Sequence, residues 1–378
     1  MTTEAGRHLS QPGVDLALLE RRHLRELHLT IHPLPGETLR DLAGRLGILL
    51  RRHGAAVVRH AVFGSSAARG RTLEALREEL GPLDWPVSWI EGDEGRPSHN
   101  GAADALAGMQ VWAVAGVPVE TVRLEDRIVG RRFDDGWARH LVLGDLAPPD
   151  PSAPRPQQAR AVFERMAASL DRAGLSLQDV ARTWLYLENL LSWYGPFNEV
   201  RTEFFRLHRI LGRRLPASTG IHGRNPYGAA LLAGAWAVRP LDPAAAVREV
   251  PSPLQCPAPR YGSSFSRAME LSTPDLRRVL VSGTASIAAD GSSAHPNDLK
   301  GQIELTMDVV RAILESRGLS FTDVTRSLTY FKRISDAPAF DSWRAERGLD
   351  FFPAVSIQTD VCRDELLFEI EVDAAAPL

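Results

Sequence analysis

The hydrophobic and polar positions of this chain form a helix-then-strand pattern that occurs twice. Residues 158–187 read QARAVFERMAASLDRAGLSLQDVARTWLYL, and residues 302–331 read QIELTMDVVRAILESRGLSFTDVTRSLTYF. The two segments align without a gap, since 158 and 302, like 187 and 331, differ by 144. In each copy the spacing of apolar residues predicts an amphipathic helix, a glycine (Gly174 or Gly318) that ends it, and then a buried strand. The chain therefore contains an internal repeat.

After this strand both copies continue with a second helix, a strand that begins with proline, and a closing strand. These elements are predicted at 196–207, 215–221 and 230–238 in one copy, and at 338–347, 352–360 and 366–372 in the other. A strand pair, such as that at 279–291, precedes the first helix. Each copy is therefore predicted to be a β-β-α-β-α-β-β unit of the α+β class, with both helices on one sheet face.

A third, degenerate copy is predicted upstream because the same elements recur there in the same order. They are helices at 37–53 and 71–80 and strands at 56–63, 85–91 and 109–114, with Gly54 ending the first helix. The predicted units span 1–120, 121–250 and 251–378; polar or proline-rich loops are expected at 93–107 and 147–156, and a linker at 241–259. Three such units around one axis predict a monomer that imitates a trimer, with small-molecule sites in the clefts between units.

Composition narrows the function classes. The formal net charge of −3 over 378 residues provides no electrostatic footprint for nucleic acid. No apolar run approaches the 18 or more residues of a membrane helix. The first 15 residues lack the apolar core of a signal peptide and are expected to be a disordered lead-in, so a cytoplasmic location is expected. The two cysteines exclude a disulfide framework, and no nucleotide loop, zinc spacing or haem motif occurs, so no cofactor is predicted.

The last strand carries the clearest candidate for chemistry. Residues 360–374 read DVCRDELLFEIEVDA, and alternation from position 366 places Glu369 and Glu371 on the face opposite the apolar side chains. The pattern alone favours carboxylates that face water. Aligning the closing strands of the last two copies places Gly234 opposite Glu369, and the first copy has no carboxylate there. A carboxylate present in one copy only favours a catalytic role for Glu369, whereas Glu371 is expected to be solvated.

At this point the residues resemble known families. The last copy resembles the RidA (YjgF) family through YGSSFSRA, VSGTASI, RGLSFTDV and the terminal EIE strand. Imine-hydrolysing members of that family carry an arginine after the Pro-Ala of the Pro-led strand, where this chain has Val355. Residues 105–378 are more similar to the chorismatases, through YGPFNEVRTEFF, LPASTGIHGRNPYGAALLAGA, SPLQCPAPRYGSSFSRA and DVCRDELLFEIE.

The chorismatase resemblance implies a cofactor-independent reaction of chorismate that supplies a precursor for secondary metabolism. Chorismate contains an enol ether, which becomes reactive when its methylene carbon is protonated, and it then loses pyruvate. A glutamic acid whose pKa is raised by burial from about 4.3 toward 6–7 would provide that proton. By resemblance this acid is Glu369. The resemblance also implies that Cys362 is typical of the branch that makes 3-hydroxybenzoate, where a thiolate would accept the proton lost as the ring aromatises.

The substrate has two carboxylates, and the resemblance with the residue chemistry proposes groups to bind them. Arg224, in a Gly/Pro-rich loop, is the leading candidate because a guanidinium binds a planar carboxylate through two hydrogen bonds. Further candidates for the substrate site come from the last copy: Tyr261, Ser264, Arg267, Ala285, Lys332 and Arg363. Cys256 is expected to be a packing residue.

Several alternatives stay open. Ala285 points to the hydrolytic chorismatase branch, which makes 3,4-dihydroxycyclohexa-1,5-diene carboxylate, and 4-hydroxybenzoate is another conceivable product. A RidA-like hydrolase of 2-imino acids and a non-catalytic binder of aromatic acids are the other two function classes. Small-molecule substrates are the expected partners in each case, with no nucleic acid and no membrane.

Overall fold

The computed structural model describes residues 8–92 and 106–378. The first unit consists of β1 (His8–Gln11), β2 (Val14–Glu20), β3 (Arg25–Ile31), α1 (Leu39–His53), β4 (Ala56–Gly64), α2 (Arg69–Leu80), β5 (Val87–Ile90) and β6 (Leu106–Ala115). The second consists of β7 (Glu120–Leu124), β8 (Arg127–Asp134), β9 (Ala138–Leu146), α3 (Arg155–Arg172), β10 (Val180–Leu187), α4 (Tyr194–Leu207), β11 (Ala217–His222) and β12 (Leu231–Pro240). The third consists of β13 (Ala246–Val250), β14 (Ala268–Thr273), β15 (Leu276–Ala285), α5 (Leu299–Glu315), β16 (Val324–Phe331), α6 (Ala337–Ala345), β17 (Ala354–Gln358) and β18 (Phe368–Pro377).

The three sheets of the described residues have one topology. Their strand orders are β1-β2-β3-β6-β4-β5, β7-β8-β9-β12-β10-β11 and β13-β14-β15-β18-β16-β17. When the strands are numbered within each unit, all three sheets have the order 1-2-3-6-4-5. In every unit the first helix follows the third strand and the second helix follows the fourth strand. The predicted α+β class and threefold repeat are therefore confirmed, including the degenerate first copy.

The structure corrects two expectations about the unit starts. Each unit begins with one more strand than predicted, so the order is β-β-β-α-β-α-β-β. β13 lies inside the expected linker at 241–259, and β1 lies inside the expected disordered lead-in, where it pairs with β2. Both are short, largely exposed edge strands, and such strands carry little hydrophobic signal. The unit boundaries at 120/121 and 250/251 stay a proposal; the second would separate β13 from its sheet.

Local signals explain where the elements begin and end. Helix α1 starts at a capping box in which Thr38 and Asp41 satisfy each other's backbone N–H groups, and it ends at Gly54 in the left-handed conformation. The loop expected at 93–107 lies outside the described residues up to 105, and β6 begins at Leu106. Among the described helices none is both long and apolar enough to cross a membrane.

The helices form an outer layer and the sheets face one another. In the third unit Met307 and Val310 of α5 pack on Phe368 and Ile370 of β18. A separate apolar cluster contains side chains of all three sheets and lies between them. Both faces of β18 are consequently buried: the face that carries Glu369, Glu371 and Asp373 turns toward the neighbouring units rather than toward water. The predicted alternation of this strand is confirmed, and the predicted exposure of its polar face is wrong.

A bulge at the same place in each unit fixes how the copies correspond. The pairing of the fourth strand with the sixth shifts register just before Arg59, Arg182 and Arg326, which are thus equivalent. Glu369 pairs with Tyr330 on β16. The corresponding pairs are Tyr186 with Leu232 in the second unit and Phe63 with Gly108 in the first, so Leu232 and Gly108 are the counterparts of Glu369. Gly234, which the sequence alignment places opposite Glu369, is instead the counterpart of Glu371. The correction leaves the conclusion intact, because no counterpart of Glu369 is acidic.

Candidate active site

A cleft between the second and third units holds most of the predicted site residues. It encloses about 930 Å³ of empty space, counting the part open to solvent. The second unit contributes the start of α4 and the strand β11; the third contributes residues 261–267, the end of β15, residues 362–363 and the start of β18. A cleft at a unit interface with this volume is typical of a small-molecule site.

Glu369 lies at the bottom of this cleft. It is 5% exposed and sits opposite Ala285 of β15. A Cβ atom at Gly283 would collide with its Oε1, so the glycine makes the space that the carboxyl group occupies. Burial raises the pKa of Glu369 to about 8, the charge of Glu371 adds to the effect, and Arg267 and Arg182 oppose it. Glu369 is therefore a carboxylic acid that keeps its proton at neutral pH.

Glu371, the next acid on the same strand face, has the opposite state. Arg182 donates to its Oε2 at 2.8 Å, Trp184 Nε1 donates to its Oε1 at 3.1 Å, and Arg326 Nη1 donates to Oε1 at 3.0 Å. Burial by itself would raise the pKa of Glu371, but Arg326 and Arg182 hold it at about 2. The predicted solvent exposure of Glu371 is wrong: the residue is 0% exposed and permanently charged.

Two buried guanidinium groups face the cleft without a carboxylate partner among the described residues. Arg201, on α4, is 2% exposed; its Nη2 donates to Asn198 Oδ1 at 2.6 Å and its Nε has no partner. Arg267 donates only to the backbone carbonyl of Cys256, at 3.0 and 2.9 Å. Burial lowers the pKa of Arg201, with only neutral groups such as Tyr194 beside it. Because a buried charge is costly without a counter-charge, both groups are suited to binding an anionic ligand.

Further polar groups line the same cleft. Tyr261 stands between two cations, with Arg267 Cζ at 5.3 Å and Arg363 Cζ at 5.7 Å from its ring centroid. Burial raises the pKa of Tyr194 to about 12, and the neighbouring Cys362 adds to the effect. Both phenols are therefore neutral hydrogen-bond donors at physiological pH.

Cys362 lines the cleft as predicted, but as a neutral thiol. Burial raises its pKa to about 12, and the nearby Glu369 adds to this shift. It also packs against the apolar clusters of the second unit and of the centre. The thiolate that the proposed base would require is therefore disfavoured in this site. Cys256 is buried, and its carbonyl rather than its thiol contacts the site.

The remaining predicted residues divide clearly. Tyr261, Arg267, Ala285, Cys362, Arg363 and Glu369 all line the cleft. Ser264 is buried next to it and shares a 2.7 Å hydrogen bond with Thr202 of the second unit.

Arg224 and Lys332 do not line the cleft. Arg224 is 47% exposed and reaches Glu91 of the first unit at 3.6 Å, because a backbone bridge between the two residues joins its loop to that unit. Lys332 pairs with Asp364 at 2.6 Å. The prediction of Arg224 as the main carboxylate-binding residue is therefore not supported by its position.

Sequence reasoning missed the contribution of helix α4. Tyr194, Asn198 and Arg201 lie four and three residues apart, and this spacing places them on one helix face that opens on the cleft. All three fall in the motif YGPFNEVRTEFF, which carries the family resemblance. The helix also carries Glu199, Thr202, Glu203 and Arg206, so its polar pattern alone does not single these three residues out.

Comparison with known proteins agrees with the motifs. No family model matches the chain. A protein of Streptomyces hygroscopicus named 3-hydroxybenzoate synthase is 27% identical over 246 residues, which cover 57% of this chain and 68% of that protein. A chorismatase of the same organism is 26% identical over 304 residues, covering 75% and 84%. A crystal structure of a chorismatase superposes with a TM-score of 0.62 at 18% identity, covering 84% of this chain and 92% of that one. The resemblance of this chain to the chorismatases is therefore confirmed, by sequence relatives and by a shared fold.

Proposed function

We propose that this protein is a chorismatase that converts chorismate to pyruvate and 3-hydroxybenzoate. The observation that carries the proposal is one cleft in which a protonated buried acid, Glu369, faces two buried guanidinium groups, Arg201 and Arg267, that have no protein carboxylate to pair with. Chorismate is a dicarboxylate with an acid-labile enol ether, so its charges and its chemistry match this set of groups. The names of the sequence relatives support the same substrate.

In the proposed reaction Glu369 transfers its proton to the methylene carbon of the enolpyruvyl group. The neighbouring ring hydroxyl oxygen attacks the ring carbon that carries the ether, so that the bond from this carbon to the pyruvyl oxygen breaks, pyruvate leaves, and the ring keeps the attacking oxygen as an epoxide. The epoxide then opens by breaking its bond to the carbon that first carried the hydroxyl, which leaves the oxygen at the position required for 3-hydroxybenzoate; the hydroxyl proton released when the epoxide forms returns to this oxygen as it opens. The ring then loses one proton and aromatises. Glu369, now a carboxylate, is the only carboxylate among the residues that line the cleft, so it takes up this proton and returns to its starting state. No water is consumed, and the two products together contain all the atoms of chorismate.

This scheme gives Cys362 a different task from the predicted one. A thiol with a pKa near 12 does not remove a proton at neutral pH, whereas it does fill space beside Glu369. Cys362 therefore influences the product by shaping the cleft around the ring. Capture by water instead of an internal oxygen would give the dihydroxycyclohexadiene carboxylate, the hydrolytic alternative to which Ala285 points.

The test is incubation of the purified protein with chorismate, with pyruvate measured by coupled lactate dehydrogenase and the aromatic products separated by chromatography. Pyruvate and 3-hydroxybenzoate are expected in equal amounts, and Glu369→Gln should lose activity by about 100-fold or more. Absence of pyruvate at micromolar protein would refute the proposed activity. A dihydrodiol or 4-hydroxybenzoate product would keep the activity and assign another branch.

Replacing Cys362 tests the product assignment. Cys362→Val should redirect part of the product to the dihydrodiol acid, since the resemblance associates an apolar residue at this place with the hydrolytic branch. Cys256→Val is the matched control, because that side chain is also a free cysteine but only its carbonyl reaches the site. Equal product ratios in the two variants would remove Cys362 from product control.

The RidA-like alternative has less support. Where imine-hydrolysing relatives would carry an arginine, Val355 is fully buried in the apolar cluster between the sheets. Semicarbazide trapping of 2-iminopropionate would reveal such an activity. For a non-catalytic binder of aromatic acids, chorismate would bind without being consumed.

A further inference from the structure

The axis between the three sheets contains three equivalent arginines, Arg59, Arg182 and Arg326, called here the axial arginines. They surround the ring of Trp184, with Cζ atoms at 4.1, 5.6 and 5.7 Å from its centroid, respectively. In each unit a bulge in the fourth strand comes just before this arginine. The three arginines therefore occupy equivalent positions along their strands. The fold therefore brings three positive charges together on the axis, two of them buried (Arg182 and Arg326) and one, Arg59, half-buried.

The carboxylates that neutralise them come from one unit only. Glu371 bonds to Arg182 and Arg326, and Asp373 bonds to Arg326 at 3.1 Å. In the first unit the counterpart of Glu371 is Gln110, a neutral amide that bonds to Ser327 and Arg326. Three axial arginines thus face two carboxylates, because each unit has the arginine but only the third unit has the carboxylates.

Arg59 is the axial arginine left without a partner. No described residue forms a hydrogen bond or an ion pair with its guanidinium group. Its guanidinium group lies over the Trp184 ring, and the residue lines two spaces, the one between the first and second units and a cavity on the axis. Burial lowers the pKa of Arg59 to about 10 and the charge of Arg326 adds to this, whereas Tyr186 and the more distant carboxylates of Glu371 and Asp373 oppose it, so the group is still cationic at neutral pH.

The cavity on the axis is lined by residues of all three units. It has room for one or two species of the size of water. Four of its lining residues carry buried polar atoms without a hydrogen-bond partner: the Nε1–H donor of Trp112, the Oδ1 acceptor of Asp373, Nε of Arg278, and Nε2 of His28, which lies 3.3 Å from Glu26 Oε2. The other charged groups on the cavity are already paired, since Arg278 bonds to Glu26 at 2.7 Å.

We propose that this cavity binds a small monovalent anion of halide size, held by the Arg59 guanidinium and the Trp112 indole N–H. A water molecule alone would satisfy hydrogen bonds and leave the extra charge in place, whereas an anion supplies the missing negative charge. A water beside the anion satisfies Asp373 Oδ1. The size of the cavity excludes larger anions such as gluconate. The site lies on the axis rather than in the proposed active cleft and does not depend on the proposed reaction.

The direct test is a crystal structure of the wild-type protein grown in sodium bromide, with data collected at the bromine absorption edge. An anomalous peak is expected in the cavity, within about 3.5 Å of the Arg59 nitrogens. Density without an anomalous signal would mean water and would overturn the proposal.

Thermal unfolding provides the solution test. At equal ionic strength, 200 mM sodium bromide should raise the wild-type melting temperature by about 2 °C relative to sodium gluconate. Arg59→Met should abolish this difference, while Arg52→Met, which removes an exposed arginine of α1, should keep it. The same bromide response in Arg59→Met as in the wild type would refute the site. If Arg59→Met does not fold, the wild-type bromide map still decides.

Discussion

The proton on Glu369 depends on a neighbour that never contacts the substrate cleft, and this dependence can be measured. Glu369 and Glu371 are two residues apart on one face of β18, which places them about 6.6 Å apart along the strand. At an effective dielectric constant of about 20, two negative charges at that distance repel by about 2.5 kcal/mol. That energy corresponds to about 1.8 in the pKa of Glu369. Glu371→Gln removes the repulsion and is the informative change.

The variant should shift the pH dependence of the reaction in a defined direction. Wild-type activity requires the protonated acid, so kcat/KM should be constant at low pH and fall through a midpoint near pH 8. In Glu371→Gln the midpoint should move down by about 1 to 2 pH units, because Arg182 also becomes free to attract the ionised form of Glu369. At pH 7 the loss should be about two- to tenfold, and at pH 5.5 it should nearly vanish.

The assay is chromatography of stopped reactions between pH 5 and 9.5, with circular dichroism at each pH to establish that the variant is folded. This check is needed because removing one partner of a buried ion pair costs about 3–5 kcal/mol. Asp373→Asn is the matched control: the residue lies on the same face, two positions farther along, and also bonds to Arg326. The pH midpoint of kcat/KM in Asp373→Asn should move by half as much as in Glu371→Gln, or less. Equal midpoints for the wild type and Glu371→Gln would refute the electrostatic reasoning.

Three further changes test the geometry of the cleft. Gly283→Ala should abolish activity while the fold persists, since its Cβ would occupy the space of the Glu369 carboxyl group; pyruvate release and circular dichroism measure the two effects. Arg201→Met should lower kcat/KM by about 30- to 1,000-fold through weaker carboxylate binding, whereas Arg224→Ala should leave it nearly unchanged, and comparable losses in both would contradict the site. Glu369→Gln should make the protein more stable than the wild type by about 2–4 kcal/mol at pH 9 in urea unfolding, with the difference vanishing toward pH 4.5. The sign follows because the pKa of Glu369 is higher in the folded than in the unfolded protein. The free energy of unfolding of the wild type therefore falls as the pH rises from the unfolded-state pKa to the folded-state pKa, whereas the amide of the variant does not ionise. An equal difference at both pH values would show that Glu369 does not ionise in the folded state over this range.

The fold was predictable to the extent that the repeat made it so. An ungapped match between 158–187 and 302–331 requires two similar units, and the same element order upstream was enough to find the third. The edge strands β1 and β13 escaped prediction because an edge strand with polar side chains has no hydrophobic period to read. The alignment error that placed Gly234 opposite Glu369 arose from aligning residues by identity, whereas the strand pairing with β10 and β16 sets the register.

The site was predictable where its residues lie in the last copy and unpredictable where it depends on contact between units. Glu369, Cys362 and Arg267 were identified from motifs of the third unit, and all three line the cleft. Arg224, predicted to bind a carboxylate, lies outside the cleft, and nothing in its loop sequence indicates that the loop joins the first unit through Glu91. Arg201 was missed for the complementary reason: a helix residue shows its role only when the neighbouring unit closes over it.

The three contacts between units explain why one carboxylate is the proposed catalytic residue. Between the first and second units Leu232 takes the place of Glu369, and the smaller space there, of about 360 Å³, is lined by Arg59, His60 and Ser88 together with apolar side chains and has no carboxylate among its lining residues. Gly108 takes its place in the first unit, where a Cβ atom would lie 3.1 Å from Val355 of the third unit, so the two units are in close contact at this position. Among the described residues, the cleft between the second and third units combines an acid, its glycine and two arginines without a carboxylate partner. Since the units are joined in one chain, the other two contacts can be optimised for stability while this cleft keeps the buried acid and unpaired arginines, which are costly to stability and needed for the proposed chemistry.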